Sequence, residues 1–164
     1  MKSKKGLLIA LIIIIILVIA IVGGVIYLNQ PKETAEQVFT NYISLLNEKK
    51  YDELYSYIST QSKAEISKED FVARNKNIYE GIDAVNIEVQ IQSQEKEGKT
   101  AKITYNENMS TSAGNISFEN TANLVIEDKE YKIEWSSAMI FPELRDTDKV
   151  RVSTIESTRG EILD

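Results

Sequence analysis

Four groups of residues have the types and spacing that chemistry could use. Ser93-Gln94-Glu95-Lys96 has the S-x-x-K spacing in which a lysine activates a serine nucleophile. That chemistry needs both side chains on one helical turn in a cleft. Here they lie in a hydrophilic stretch that reads as a hairpin, without an S-x-N or K-T-G partner suitably placed. Gly98-Lys99-Thr100 ends like a phosphate-binding loop, but Ser93 stands where the motif needs its first glycine, and no helix follows. Asp146 and Asp148 could open a calcium loop, yet Val150 takes the third ligand position and no glycine follows. Their expected state is two solvated charges. Tyr42, Tyr51, Tyr55, Tyr57 and Tyr79 could line a pocket. Several fall at helical core spacing, which points to amphipathic core filling.

What is missing is as informative. The 164 residues contain no cysteine and no histidine. Disulfides, thiolate zinc sites and a cysteine nucleophile are thereby excluded. So are the commonest general base and the commonest metal ligand. The expectation is a chain without catalytic residues, cofactor or metal. The charge pattern narrows the partners. There are 19 basic and 25 acidic residues, and Lys2, Lys4 and Lys5 precede the first acid, Glu33. From Asn29 onward 16 basic residues face 25 acidic ones, a net of −9. A surface this acidic repels nucleic acid.

The elements that would position any site begin with an apolar run. From Gly6 to Leu28 no residue is charged, and Ile12 to Ile16 is unbroken isoleucine. As a helix this run spans about 34 Å, enough for a hydrocarbon core of about 30 Å. A signal peptide has a shorter apolar region, of about 7–15 residues, and a small-residue cleavage site. Ile26-Tyr27-Leu28 offers none, so the run reads as a retained anchor. The flanking lysines then place the N-terminus in the cytoplasm and everything from about residue 29 outside the cell membrane.

Beyond Pro31 the periodicity becomes helical. Ala35, Val38, Phe39, Tyr42, Ile43 and Leu46 form one apolar stripe, and Tyr51, Leu54, Tyr55 and Ile58 a shorter one. Ser67, with Asp70 in the place of the usual Glu, resembles a capping box that opens a third helix with the face Phe71, Ile78, Tyr79 and Ile82. After Asp83 the period is two. Val85, Ile87, Val89 and Ile91 predict one strand, and Ala101, Ile103 and Tyr105 a second. Ile116, Phe118, Ala122, Leu124 and Ile126 predict a third, and Tyr131, Ile133 and Trp135 a fourth, with a polar loop at Ser110 to Asn115. The spacing therefore predicts an α+β fold: a transmembrane helix, then three helices packed on a curved, mostly antiparallel four-stranded sheet.

That order resembles the nuclear transport factor 2-like cone. More specifically, Ile133-Glu134-Trp135-Ser136-Ser137-Ala138-Met139-Ile140-Phe141-Pro142 resembles the end of the MecA-type N-terminal domain of class B penicillin-binding proteins. Trp135, Ile140, Phe141 and Pro142 carry the likeness. Arg159-Gly160-Glu161-Ile162-Leu163-Asp164 is similar to the entry into the dimerisation domain of those proteins, through Arg159, Gly160, Ile162 and Asp164. The resemblance implies a cytoplasmic tail over residues 1–5, an anchor over 6–28, the cone domain over 29–143, and linker plus the start of a dimerisation domain over 144–164. It also implies the N-terminal piece of a larger peptidoglycan D,D-transpeptidase, a penicillin-binding protein of cell-wall synthesis and β-lactam response. In that piece the domain is a non-catalytic spacer and interaction module. The implied partners are the membrane, the downstream domains and other cell-wall synthesis proteins, and no nucleic acid. The alternative from the fold alone is a free-standing, membrane-anchored binding domain for a small ligand or protein. Val150, Val152 and Ile155 are too few to form an apolar face, so residues after about Leu144 are expected to hold no fixed position.

Overall fold

The computed structural model describes residues 4–28, 30–151 and 153. Helix α1 (Lys4–Leu28) contains the apolar window Leu8–Val25, of mean hydropathy 3.5, with none of it buried. By length and composition this helix can cross a membrane.

The next helix, α2 (Ala35–Asn47), starts at a complete capping box that the sequence reading did not single out. The Gln37 N–H donates to Thr34 Oγ1 (3.2 Å), and the Thr34 N–H donates to Gln37 Oε1 (2.8 Å). All six predicted stripe residues, Ala35 to Leu46, are buried. The second predicted helix is shorter than expected: α3 (Tyr51–Leu54) is a single turn. Tyr55, Tyr57 and Ile58 are aromatic or β-branched, and Ile58 pairs in parallel with Ile133 instead. The Ser59 N–H donates to the Ile133 carbonyl, and the Ile133 N–H to the Tyr57 carbonyl, both at 2.8 Å. An unexpected helix, α4 (Thr60–Glu65), follows, capped by Ser59 and burying only Ser62. It has no apolar stripe, so periodicity could not reveal it. Helix α5 (Lys68–Gly81) starts at Ser67 as expected, with the Asp70 N–H donating to Ser67 Oγ at 3.1 Å. The Ser67 hydroxyl in turn meets the Asp70 carboxylate (2.8 Å), which does not reach a backbone N–H, so only half of the capping box forms. The predicted face, Phe71, Ile78, Tyr79 and Ile82, is buried.

Strands β1 (Val85–Glu97), β2 (Thr100–Thr111), β3 (Gly114–Glu127) and β4 (Glu130–Ile133) form an antiparallel meander in sequence order. Gly98 (φ 56°) supplies the left-handed turn between β1 and β2. Asp128 and Lys129 (φ 47° and 65°) close the β3–β4 hairpin as a two-residue loop with both φ positive. The inner face matches the predicted parity except at Val85, which is 46% exposed. Between Val85 and Glu88 the register slips, and Asn86 takes a positive φ of 54°. The resulting bulge turns Val85 outward while Ile87 stays in the core. The predicted polar loop at Ser110 to Asn115 is also tighter, since Ser110 pairs with Asn115 and Thr111 with Gly114.

The segment after β4 packs back onto the domain. Trp135 and Ile140 are buried, and Leu144 and Val150 lie against the core. Asp146 Oδ1 accepts from the Ser137 hydroxyl (2.5 Å) and the Ser137 N–H (3.3 Å). Arg74 Nη2 donates to the Arg145 carbonyl at 2.6 Å, and the Arg145 N–H to Asp148 Oδ2 at 2.9 Å. The expectation of no fixed position after Leu144 is therefore wrong through Val150. The two aspartates are exposed, as expected of solvated charges, and in addition accept the hydrogen bonds that pin this segment. Arg159, Gly160, Ile162 and Asp164 lie outside the described residues.

Candidate functional site

Continuing the β2 alternation of Ala101, Ile103 and Tyr105 by two residues places a carboxylate on the inner face. Glu107 is 1% exposed. Aromatic residues from four parts of the chain share its core. Tyr105 precedes it on β2, Tyr42 comes from α2, Tyr79 from α5 and Trp135 from the segment after β4. Phe39 packs on the Tyr105 ring at 4.6 Å between centroids, and Phe71 meets Trp135 edge-on at 4.9 Å. The helices thus cover the sheet with rings, and one acid lies under them.

Burial decides the protonation of this group. Removing a carboxylate from water disfavours its charge, and no cation compensates here, so the Glu107 carboxyl is pushed up to about 8. At neutral pH it is mostly an uncharged acid that can donate a hydrogen bond. The same burial, together with the nearby Glu107, pushes the hydroxyls of Tyr79 and Tyr105 well up. Tyr42 is pushed up by burial against a smaller opposing effect of the Trp135 N–H beside it. Such a sealed acid cannot meet a substrate. Tyr79 is also part of the wall of a surface depression of about 460 Å³, together with Leu46, Lys49, Tyr51 and Ile87.

A second depression, of about 350 Å³, lies where Lys32 meets the β3–β4 turn. Its lysines, Lys32 and Lys132, both bind Glu130, at 3.0 and 3.1 Å. Their hydrogen bonds and charge hold the Glu130 carboxyl below the usual carboxylate range. Among the described residues no three acidic side chains gather as a metal-binding set.

The residues singled out from sequence are dispersed. Ser93 and Lys96 are exposed on β1, where a separation of three puts them on opposite faces of the strand. Lys99 is in the β1–β2 turn, and its carbonyl accepts from the Ile126 N–H at 2.8 Å. Tyr42, Tyr51 and Tyr79 are core residues as expected, with Tyr55 and Tyr57 half-buried. Of the motif residues, Phe141 is half-buried against Phe118 at 5.6 Å, and Pro142 is exposed. Glu107 is the residue that sequence reasoning missed.

A model of the family described as the NTF2-like N-terminal transpeptidase domain, MecA_N, matches residues 34–148. The chain belongs to this family. The MecA_N match runs from the N-cap of α2 to the aspartate that closes the turn at Arg145. The chain is similar to penicillin-binding protein 3 of Bacillus subtilis (strain 168), at 34% identity over 140 residues, covering 80% of this chain and 21% of that protein. It therefore spans about a fifth of the length of that relative. Among solved structures, a SEC-C motif containing protein from Rhodopseudomonas palustris shares the fold, with a TM-score of 0.54 at 9% identity, over 69% of this chain and 84% of that one. A protein from Campylobacter jejuni described as an NTF2-like transpeptidase gives a TM-score of 0.42 at 18% identity, over 62% and 97% of the two chains.

Proposed function

We propose that this chain is the membrane-anchored, non-catalytic N-terminal module of a class B penicillin-binding protein. The observation that carries this reading is the 34% identity to penicillin-binding protein 3 across 80% of the chain, together with the MecA_N match. The apolar helix supports an anchor, because its exposed face is almost wholly aliphatic. Lys2, Lys4 and Lys5 favour a cytoplasmic N-terminus and an extracytoplasmic cone. The domain then acts as spacer and docking module between the membrane and a downstream dimerisation domain. Peptidoglycan cross-linking and penicillin binding belong to the transpeptidase domain of the parent, and other cell-wall synthesis proteins are the partners this arrangement suits. The exposed separation of Ser93 from Lys96 supports a module without its own acyl-transfer site.

Topology is the test. A cysteine introduced at Ser112, in the β2–β3 turn, should react with a membrane-impermeant thiol reagent on intact cells. One introduced at Ser3 should react only after lysis. Labelling of the Ser3 variant on intact cells, or loss of the apolar helix from the mature chain, would overturn the anchored orientation.

A further inference from the structure

Helices α2 and α5 both end beside the start of β1, each followed by a residue held in the left-handed region. After α2 the Lys49 N–H donates to the Leu46 carbonyl and the Lys50 N–H to the Leu45 carbonyl, both at 3.0 Å. Lys49 has a φ of 57°. After α5 the Asp83 N–H donates to the Glu80 carbonyl (3.1 Å) and the Ala84 N–H to the Tyr79 carbonyl (2.8 Å), with Asp83 at 54°. Helix ends of this kind favour glycine at that position, and aspartate or asparagine tolerates it, whereas a lysine is strained there. Asn86, at the bulge of β1, is a third left-handed residue. Asn47 ties the two sides together. Its side-chain amide donates to the Ile87 carbonyl at 2.6 Å and accepts from the Ile87 N–H at 2.8 Å. Backbone strain of this sort persists only where the surroundings hold it, and it concentrates at ligand sites.

Between these ends lies the depression of about 460 Å³, walled by Leu46, Tyr51, Tyr79, Ala84 and Ile87. All five are buried core residues, so the wall is fixed by the packing behind it. Two further lining groups stand out. Val85 is the only exposed large apolar side chain outside α1 among the described residues, and the bulge holds it outward. Lys49 is the only charged residue in the lining. Lys50 holds Glu48 at 2.7 Å, and Lys32 and Lys132 share Glu130, but Lys49 makes no ion pair among the described residues. The volume lies within the roughly 300–1,000 Å³ of small-molecule sites, and a mainly apolar lining with a few polar groups is their usual composition. The Asn47 amide is occupied by Ile87, which leaves a guest the Lys49 ammonium, the Asn86 amide and two phenols. All of these donate, and the ammonium only donates. A fitting guest therefore joins an anionic acceptor to an apolar body.

We propose that this depression binds small carboxylates with an apolar body, the body lying against Val85 and the tyrosine wall and the carboxylate meeting Lys49. Glu107 is not in its lining, and the site is independent of the spacer role.

The test is a titration of the full chain, ¹⁵N-labelled in detergent micelles, with 4-phenylbutyrate and with its neutral amide. The acid should shift the amide signals of Lys49, Asn86 and Ile87 along one saturable curve. The neutral amide should shift the same signals with an affinity roughly two- to fivefold lower, the span of an exposed ion pair. Lys49→Gln should lower the affinity for the acid to that of the amide and leave the amide unchanged, and Lys49→Arg should restore the difference. Val85→Ser, at an exposed position that the fold does not need, should weaken both ligands alike. Shifts confined to α1 would mean uptake into the detergent and would overturn the site. Equal binding of acid and amide, or an acid indifferent to Lys49→Gln, would overturn the role given to the ammonium. Unchanged affinities in Val85→Ser would overturn the apolar contact.

Discussion

Glu107 makes the stability of the domain fall with rising pH in a window where this chain has little else to titrate. The unfolded chain ionises near the ordinary value of 4.5, whereas the folded one keeps its proton up to about 8. The stabilisation linked to this proton is therefore complete below about 4.5. It decreases as pH rises and is gone above about 8. Each pH unit that separates the folded from the unfolded ionisation is worth about 1.4 kcal/mol, so the full loss is about 5 kcal/mol. Between pH 5.5 and 8 about 3 kcal/mol of that should be lost, a large share of the roughly 5–15 kcal/mol of a small domain. There is no histidine or cysteine to titrate in this range, and the buried tyrosines ionise well above it. Glu48 and Glu130, held low by lysines, change only at acid pH. The assay is urea unfolding of the full chain in detergent at several pH values, followed by Trp135 fluorescence. With a slope of about 1.5 kcal/mol per molar urea, the midpoint should drop by roughly 2 M from pH 5.5 to 8. Glu107→Gln should show a nearly constant midpoint. Parallel curves for wild type and variant would refute the assignment of a buried neutral acid.

Trp135→Ala should destabilise the domain by about 3–5 kcal/mol, because it removes a buried ring packed on Phe71, and circular dichroism in urea would measure it. A midpoint that hardly moves would deny Trp135 its place in the core. Incubation with a fluorescent penicillin should leave no covalent adduct on the 164 residues by intact mass; a stoichiometric adduct abolished by Ser93→Ala would contradict the proposed non-catalytic role. Asp146→Ala should cost about 1–3 kcal/mol by leaving the buried Ser137 hydroxyl unpaired, and should speed amide exchange at Arg145 and Asp148. Unchanged exchange there would show that the clasp does not hold the segment.

Much of the fold was legible because its apolar residues keep period. The α2 stripe from Ala35 to Leu46 and the β3 parity from Ile116 to Ile126 follow directly from which positions must face the core. What failed to show lacks such a pattern. Helix α4 buries a serine, so it carries no stripe. The Tyr51–Ile58 stretch has helical spacing, yet the open edge at Ile133 draws Ile58 into a strand pairing. The outward turn of Val85 depends on a bulge at Asn86, which a strict alternation cannot express. Glu107 is the instructive miss. Its parity matches Ile103 and Tyr105, but charge suggests solvent unless the alternation is followed through. The clasp of residues 144–148 escaped notice because its bonds run from Asp146 and Arg145 to residues distant in periodicity, and for Arg74 distant in sequence.

Two tethers along β3 set how the sheet would respond to a pull. The Lys32 N–H is bonded to the Lys129 carbonyl at 3.2 Å, at the tip of the β3–β4 hairpin. The segment after Trp135 is fixed to Asn120, seven residues back along β3 from Glu127. At about 3.3 Å per residue these two points are separated by roughly 23 Å along the strand. The hydrogen bonds of the β3–β4 ladder, from Leu124↔Ile133 to Glu127↔Glu130, cross that line nearly at right angles. Tension between Lys32 and Ala138 would therefore load them in shear, where several must break together, and would not unzip them one at a time. A pull along β3 would thus meet this ladder in its resistant direction.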